Sequence, residues 1–193
     1  KIEDVERGIT LFRKHQGDFI IAVGGGSALD LAKAIALLAD HAERAKEYIL
    51  RRASLHSRSM PLIAIPTTAG TGSEATHFAA IYIDKTKYSI AHPSLIPDYA
   101  IIDPSLTFSL PPHQTACTGM DALSQAIESY WSIHSTDESK QYAAEAITLA
   151  VNHLENAVQT PSPESRIAMA KAAHLAGKAI NISFTTACHA ISY

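Results

Sequence analysis

A run of five apolar residues, Phe19–Val23, ends abruptly in three glycines and a serine, and this junction constrains the chain more than any other stretch. The run is short and apolar throughout, which suits a buried parallel strand. Gly24, Gly25 and Gly26 strip the turn of side chains. Ser27 is suited to cap a helix, and Asp30 three residues on completes a capping-box pattern. Leu29, Ala32, Ala36 and Leu37 give that helix an apolar face. Free backbone N–H groups and the positive helix end then point into space the glycines leave open, which suits a pyrophosphate. The motif is neither GxGxxG nor a Walker loop, since no GK[ST] follows, and a tight βα turn that needs positive φ angles would use the same glycines.

A second strand–loop unit follows. Pro61–Pro66 reads as another short buried strand, and Thr67–Glu74, TTAGTGSE, combines glycines, small hydroxyl residues and one carboxylate. Such a loop offers backbone and hydroxyl donors to a phosphate or a ribose, and the same composition also makes an ordinary turn. Two such loops after two buried strands favour a nucleotide crevice. Around them the pattern predicts a helix over Ile2–His15 with Val5, Ile9, Leu11 and Phe12 inward, and a helix after the glycines to about Asp40. It also predicts a short helix over Ala42–Leu50 and a strand over Tyr99–Asp103. A hairpin of His77–Asp84 and Tyr88–His92 is expected to turn at Asp84–Lys87. After Pro111–Pro112 the β signals stop. Helices are then predicted over His113–Ser132, Ser139–Val158, Glu164–Asn181 and from Thr185 to Tyr193. The organisation is an α/β half followed by an all-helical half, with the boundary near Ser109.

Composition excludes several classes. With 193 residues, 47% hydrophobic and 18% charged, the chain can bury a core and is not disordered. A net charge of −3 gives no general attraction to nucleic acid. No apolar run approaches a membrane span, and the opening KIEDVERG is polar and amphipathic rather than signal-like. Cys117 and Cys188 lack CxxC spacing and suit reduced thiols in an intracellular protein. A doubly wound sheet rarely begins with a helix feeding its only phosphate strand, and the last residues read as an unfinished helix, so further chain is expected at both ends.

The helical half carries a polar face. Asp121 and Gln125 lie four residues apart on one helix face, with Glu128 one turn beyond Gln125. That spacing suits two ligands on one metal if both donate, and it equally suits a solvated face opened by a carboxylate. A Gln amide is a weaker ligand than His. His189 sits among small apolar neighbours and is expected to be buried, either as a satisfied core residue or as a ligand, with Tyr193 on its face. His15, His41, His56, His134 and His153 stand in polar contexts and read as surface, while His92 and His113 flank prolines and read as loop residues near the cleft.

Taken together, FIIAVGGGSALDLAKAIALL, PLIAIPTTAGTGSE and YAIIDPSLTFSLPPHQTACTGMDALSQAIESYWS closely resemble the iron-containing (group III) alcohol dehydrogenases, in that order and spacing, from about Ile2 to Tyr193. The resemblance implies an α/β dinucleotide-binding domain over residues 1–108, lacking its first strands, and the first portion of a helical metal-binding domain over 109–193. The fold class it implies is thus α/β plus α, two domains, both incomplete. It implies NAD or NADP bound by Gly24, Gly25, Gly26 and Ser27, with Asp30 just beyond, and by Thr67, Thr68, Thr71 and Ser73. Lys87 falls where the family has a lysine near the ribose. It implies a divalent metal, Fe or Zn, which the family holds with one Asp and three His. Asp121 matches the Asp, Gln125 stands where the first His is usual, and His189 matches the second. The third would lie beyond Tyr193, and Tyr193 itself replaces a further family histidine close to the nicotinamide.

The implied activity is interconversion of an alcohol and an aldehyde or ketone by hydride transfer with NAD(P), metal-assisted, in a cytoplasmic homodimer or larger assembly that binds neither nucleic acid nor membrane. Two alternatives stay open. One is a metal-independent reductase similar to maleylacetate reductase, in which His189 and Tyr193 donate to the developing alkoxide. The other is a truncated, non-catalytic nucleotide-binding chain. Gln125 and Tyr193 also hint at a small anionic aldehyde, such as a phosphonate, as substrate.

Overall fold

The computed structural model describes residues 1–40, 45–50, 52–54 and 57–191. Helix α1 (Ile2–Lys14) buries Ile2, Val5 and Ile9. Leu11 is half-exposed rather than inward, because two residues beyond Ile9 is about 200° around the helix. Phe12, three residues on, stays on the inner side. Strand β1 (Ile20–Gly24) runs into α2 (Gly26–Leu38). Gly24, at φ 153°, makes the sharp turn, and Gly25 occupies the cap position. The helix therefore starts sooner than expected, and Ser27 lies exposed inside its first turn and caps nothing. Asp30 does not reach back to the helix start either. It accepts from Ser73 Oγ at 2.6 Å and from the Ala80 N–H at 2.9 Å.

Past the short α3 (Ala45–Ile49), β2 (Leu62–Pro66) pairs parallel with β1, from Ile20 opposite Leu62 to Gly24 opposite Pro66. The expected helix start at Ala42 lies outside the described residues. A hairpin of β3 (Phe78–Ile83) and β4 (Thr86–Ala91) forms its own two-stranded sheet. It turns at Asp84, φ 54°, so Lys87 lies within β4 opposite Tyr82 rather than in the turn. Strand β5 (Tyr99–Ala100) completes a parallel sheet in the order β1-β2-β5. It is shorter than predicted, because the chain turns into a 3-10 turn at Pro104–Thr107.

Helices α1 and α2 cover one face of this sheet, where Ala22, Leu62 and Ala64 are buried. On β1 and β5 the other face is bare among the described residues, with Phe19, Ile21, Val23, Tyr99 and Ile101 each about half-exposed or more. The first strand is thus buried on one side only, although a parallel sheet is ordinarily covered on both.

The second half is helical: α4 (Pro112–Trp131), α5 (Asp137–Gln159), α6 (Pro163–Ser183) and the short α7 (Ala187–Ile191). Buried alanines, among them Ala126, Ala146, Ala150, Ala172 and Ala176, let α4, α5 and α6 approach closely. Thr136 and Ser162 cap α5 and α6 in reciprocal boxes with Ser139 and Ser165. The buried Arg166 guanidinium donates to the carbonyls of Thr107 and Leu110 and to Thr115 Oγ1, which ties the linker before α4 to α6.

The two halves meet where the 70–78 segment lies on α6. Glu74 bonds His174 at 3.1 Å, and His77 N–H donates to Asn181 Oδ1 at 2.8 Å. Between them Gly72, at φ 60°, comes so close to Gly177 that a Cβ on Gly177 would sit 2.5 Å from Gly72 O. His174, Gly177 and Asn181 share one face of α6. Gly→Ala inside a helix ordinarily gains about 1 kcal/mol. Here the sign is expected to invert: Gly177→Ala should lose about 1–3 kcal/mol through overpacking. Denaturant unfolding checks this, and a gain in stability would disprove the backbone contact.

Candidate active site

Because β1 and β2 are parallel, the loops after them leave the same edge of the sheet. Thr67 N–H donates to Gly24 O at 2.9 Å. A Cβ on Gly25 would meet Thr68 Cγ2 at 3.3 Å, and one on Gly26 would meet Thr71 Cγ2 at 2.6 Å. The glycine turn and the threonine loop therefore pack directly on each other, and Gly26 admits no side chain.

Beside this turn lies a cavity of about 410 Å³ that both halves line. Asp30, Thr71, Ser73 and Lys87 come from the first half, and Asp121, Ser124, Gln125, Cys188 and His189 from the second. Gly24, Gly25, Gly26, Ser27, Thr67 and Thr68 stand at the turn rather than in the cavity lining. Ser73 is 5% exposed, and its hydroxyl donates to Asp30 and accepts from Lys33 Nζ at 3.1 Å. Ser73 and Asp30 thus hold each other as well as facing the cavity.

Lys33 was not among the expected site residues. Its ammonium, in a side chain 1% exposed, also lies 2.6 Å from Ser73 O, 2.9 Å from Thr76 Oγ1 and 2.9 Å from Phe78 O. Burial pushes its pKa down to about 8, while Asp30 and Glu74 pull it up, so it stays charged at neutral pH. The signal was a lysine four residues from both Leu29 and Leu37, a charge set on the apolar stripe of α2.

On the helical side, α4 and α7 bring Asp121, Gln125 and His189 together. His189 Nε2 lies 3.2 Å from Asp121 Oδ1, and its Nδ1 lies 2.5 Å from Glu128 Oε1. Gln125 is 5% exposed, and its Oε1 is a buried side-chain oxygen with no hydrogen-bond partner among the described residues. His189 is half-buried rather than buried. Its hydrogen bond to Asp121 raises its pKa, burial opposes this, and Glu128 adds to the rise. Burial alone would raise Glu128, but hydrogen bonds from His189 and from the Thr186 N–H override it and lower the pKa. Sequence reasoning placed Glu128 on the right face and gave it no role.

Among the described residues no three His, Cys, Asp or Glu side chains are grouped to hold a metal, so a site here draws on the Gln125 amide. Tyr193, His41 and His56 lie outside the described residues. His92 is a turn cap, its Nδ1 accepting from Ser94 N–H, and His113 sits in the first turn of α4 rather than in a loop.

A glycine-turned parallel βα unit facing a helical bundle, with Asp, Gln and His across one cleft, has the build of a nucleotide unit joined to a metal-type site. Residues 1–104 match the iron-containing alcohol dehydrogenase family and residues 115–193 the C-terminal part of the same Fe-containing family. The chain belongs to the iron-containing alcohol dehydrogenase family. It is 40% identical over its whole length to 49% of long-chain-alcohol dehydrogenase 1 of Geobacillus thermodenitrificans. It is 39% identical, over 94% of its length, to 48% of phosphonoacetaldehyde reductase of Streptomyces viridochromogenes. Sulfoacetaldehyde reductase from Bifidobacterium kashiwanohense, solved in complex with NAD+, superposes on 97% of the chain and 51% of its own at TM-score 0.94 and 39% identity. The chain thus spans about half the length of the relatives it matches.

The raised His189 pKa is directly measurable. In metal-free protein the imidazole is expected to titrate above the usual value of about 6.5, and Asp121→Asn should bring it back down. The stabilisation it provides is full below the unfolded pKa and is lost as pH rises through the folded one. NMR titration of the ring resonances checks both, and an unshifted His189 would contradict the Asp121 contact.

Proposed function

We propose that this chain carries the cofactor turn and the first metal ligands of an NAD(P)-dependent alcohol dehydrogenase or aldehyde reductase. The reaction is interconversion of an alcohol and an aldehyde or ketone. The observation that carries this reading is the single cleft shared by the α2–threonine-loop side and by Asp121, Gln125 and His189. The donor set fits a divalent metal, Fe or Zn, because a carboxylate, an imidazole and a buried amide oxygen without a partner converge there. When bound, the metal supplies Lewis-acid polarisation of the carbonyl oxygen and the nicotinamide supplies the hydride.

The chain's own residues do the positioning. Gly24, Gly25, Gly26 and Ser27 present backbone N–H groups to the pyrophosphate at the start of α2. Thr67, Thr68, Thr71 and, from β4, Lys87 serve the phosphate and ribose, while Asp30 and Ser73 fix the loop that carries the threonines. Asp121, Gln125 and His189 take the metal. His189 and Tyr193 are the groups we assign to the substrate oxygen. A cytoplasmic homodimer or larger assembly completes the proposal, and the two exposed free cysteines are compatible with a reducing compartment.

A metal-independent reductase is the second reading. It is favoured by His189 lying between Asp121 and Glu128, two carboxylates that favour its protonated form, from which Nε2–H can turn from Asp121 to an alkoxide. Asp121→Ala is expected to cut turnover on the order of a hundredfold or more and to leave NAD(P)H binding, read by fluorescence, nearly unchanged. Elemental analysis of protein purified without chelator should find about one Fe or Zn per chain. Unchanged turnover in Asp121→Ala would sink the first reading, activity surviving exhaustive chelation would select the second, and absence of any NAD(P)H signal would leave neither.

Two relatives are named for aldehydes that bear a phosphonate or a sulfonate, and Lys87 lines the cleft. We extend the proposal to a small anionic aldehyde. The expected preference for phosphonoacetaldehyde over acetaldehyde in kcat/KM is about tenfold or more, and Lys87→Ala should reduce it. Equal rates for the two aldehydes would remove this extension alone.

A further inference from the structure

Glu128 is 1% exposed, and both of its oxygens are engaged. Oε1 faces His189 Nδ1, and Oε2 accepts from Thr186 N–H and, at 3.0 Å, from Thr186 Oγ1. All of these donors come from one piece of chain, the Thr186–His189 turn that opens α7. Glu128 thus holds both the backbone that opens α7 and, at 2.5 Å, the His189 ring.

We infer that Glu128 is a positioning residue that holds His189 in the Nδ1–H tautomer and leaves Nε2 as the atom turned to Asp121 and the cleft. The inference rests on reading Asp121, Gln125 and His189 as the metal site. A carboxylate accepts and cannot donate, so a neutral ring keeps its proton toward the nearer carboxylate, Glu128 Oε1 at 2.5 Å against Asp121 Oδ1 at 3.2 Å, which places it on Nδ1. The lone pair is then on Nε2, 3.2 Å from Asp121 Oδ1, in the cleft that Gln125 also lines. Asp121, Gln125 and Glu128 stand on one face of α4, so a single helix carries two candidate ligands and the group that aims the third. Without Glu128, Asp121 is the carboxylate among the described residues that still faces the ring, and it draws the proton to Nε2, the atom a metal needs bare.

The tautomer of His189 in metal-free protein, read from its ring nitrogen shifts at a pH where the ring is neutral, tests this without any metal. Wild type is expected to be Nδ1–H, and Glu128→Gln to gain Nε2–H. With Zn2+ alone as probe and a competing chelator, Glu128→Gln should weaken binding by about 10- to 100-fold, while NAD(P)H affinity stays within about twofold. Glu128→Asp should recover part of the zinc affinity. If Glu128→Gln lowers only the unfolding temperature, and leaves both tautomer and zinc affinity unchanged, the role is structural and the inference fails. If that variant does not fold, an Nε2–H ring in wild type would overturn the inference and an Nδ1–H ring would support it. If wild type binds no zinc, the metal reading fails instead, and the tautomer measurement still decides the role of Glu128.

Discussion

Lys33 takes a full charge into the interior, and the arrangement of the cleft depends on how that charge is met. Its ammonium is surrounded by oxygens of Ser73, Thr76 and Phe78, while Asp30 beside it binds Ser73 Oγ and the Ala80 N–H. Burying an ammonium is tolerable only when hydrogen bonds and opposite charge replace its water. Here they are supplied by a segment with little regular structure. The same bonds that stabilise the lysine give the 73–80 segment one conformation, and they fasten it to the helix that begins at the glycine turn. The turn and the threonine loop thereby hold a fixed spacing, which a phosphate cradle requires.

Across the cleft the constraint is of another kind. Helix α4 packs against α5 and α6, and from it the buried Glu128 reaches both Thr186 and His189 at the start of α7. Gln125 fits this picture. Its unpartnered oxygen would cost stability in a protein without a ligand, so a buried amide left open is more readily understood as a place prepared for one.

Much of this was legible in the chain. Period and breakers located β1, β2, α4 and α6, because each is apolar at its own repeat and bounded by glycine or proline, while α5 was marked by its period and by Pro161 after it. The glycine turn is a local motif, whereas His189 was related to Asp121 and Gln125 only through the resemblance to the family, since spacing along one helix does not reach from 125 to 189. What escaped was contact between distant segments. Ser27 looks like a cap because serine usually is one, and only the φ of Gly24 moves the helix start ahead of it. Asp30 looks like the partner in that cap, yet its donors lie more than forty residues away. Lys33 and Glu128 are ordinary charged residues until the strands and α7 are brought to them, and no spacing rule relates 33 to 76 or 128 to 189. Leu11 was misplaced by less than one turn and the start of β4, which holds Lys87, by two residues, the usual scale at which a tertiary neighbour decides orientation.

The contact of Gly72 with Gly177 has a mechanical consequence. Most joints between two parts of a protein are made of side chains, which can change rotamer and let one part slide on the other. Main chain against main chain has no such slack. Any rotation of α6 must carry Ser73 and Glu74 with it, and through Ser73 the pull reaches Lys33 and the helix below the glycine turn. The threonine-loop wall of the cleft, α2 and the helical bundle are therefore coupled at this crossing through main chain rather than through side chains.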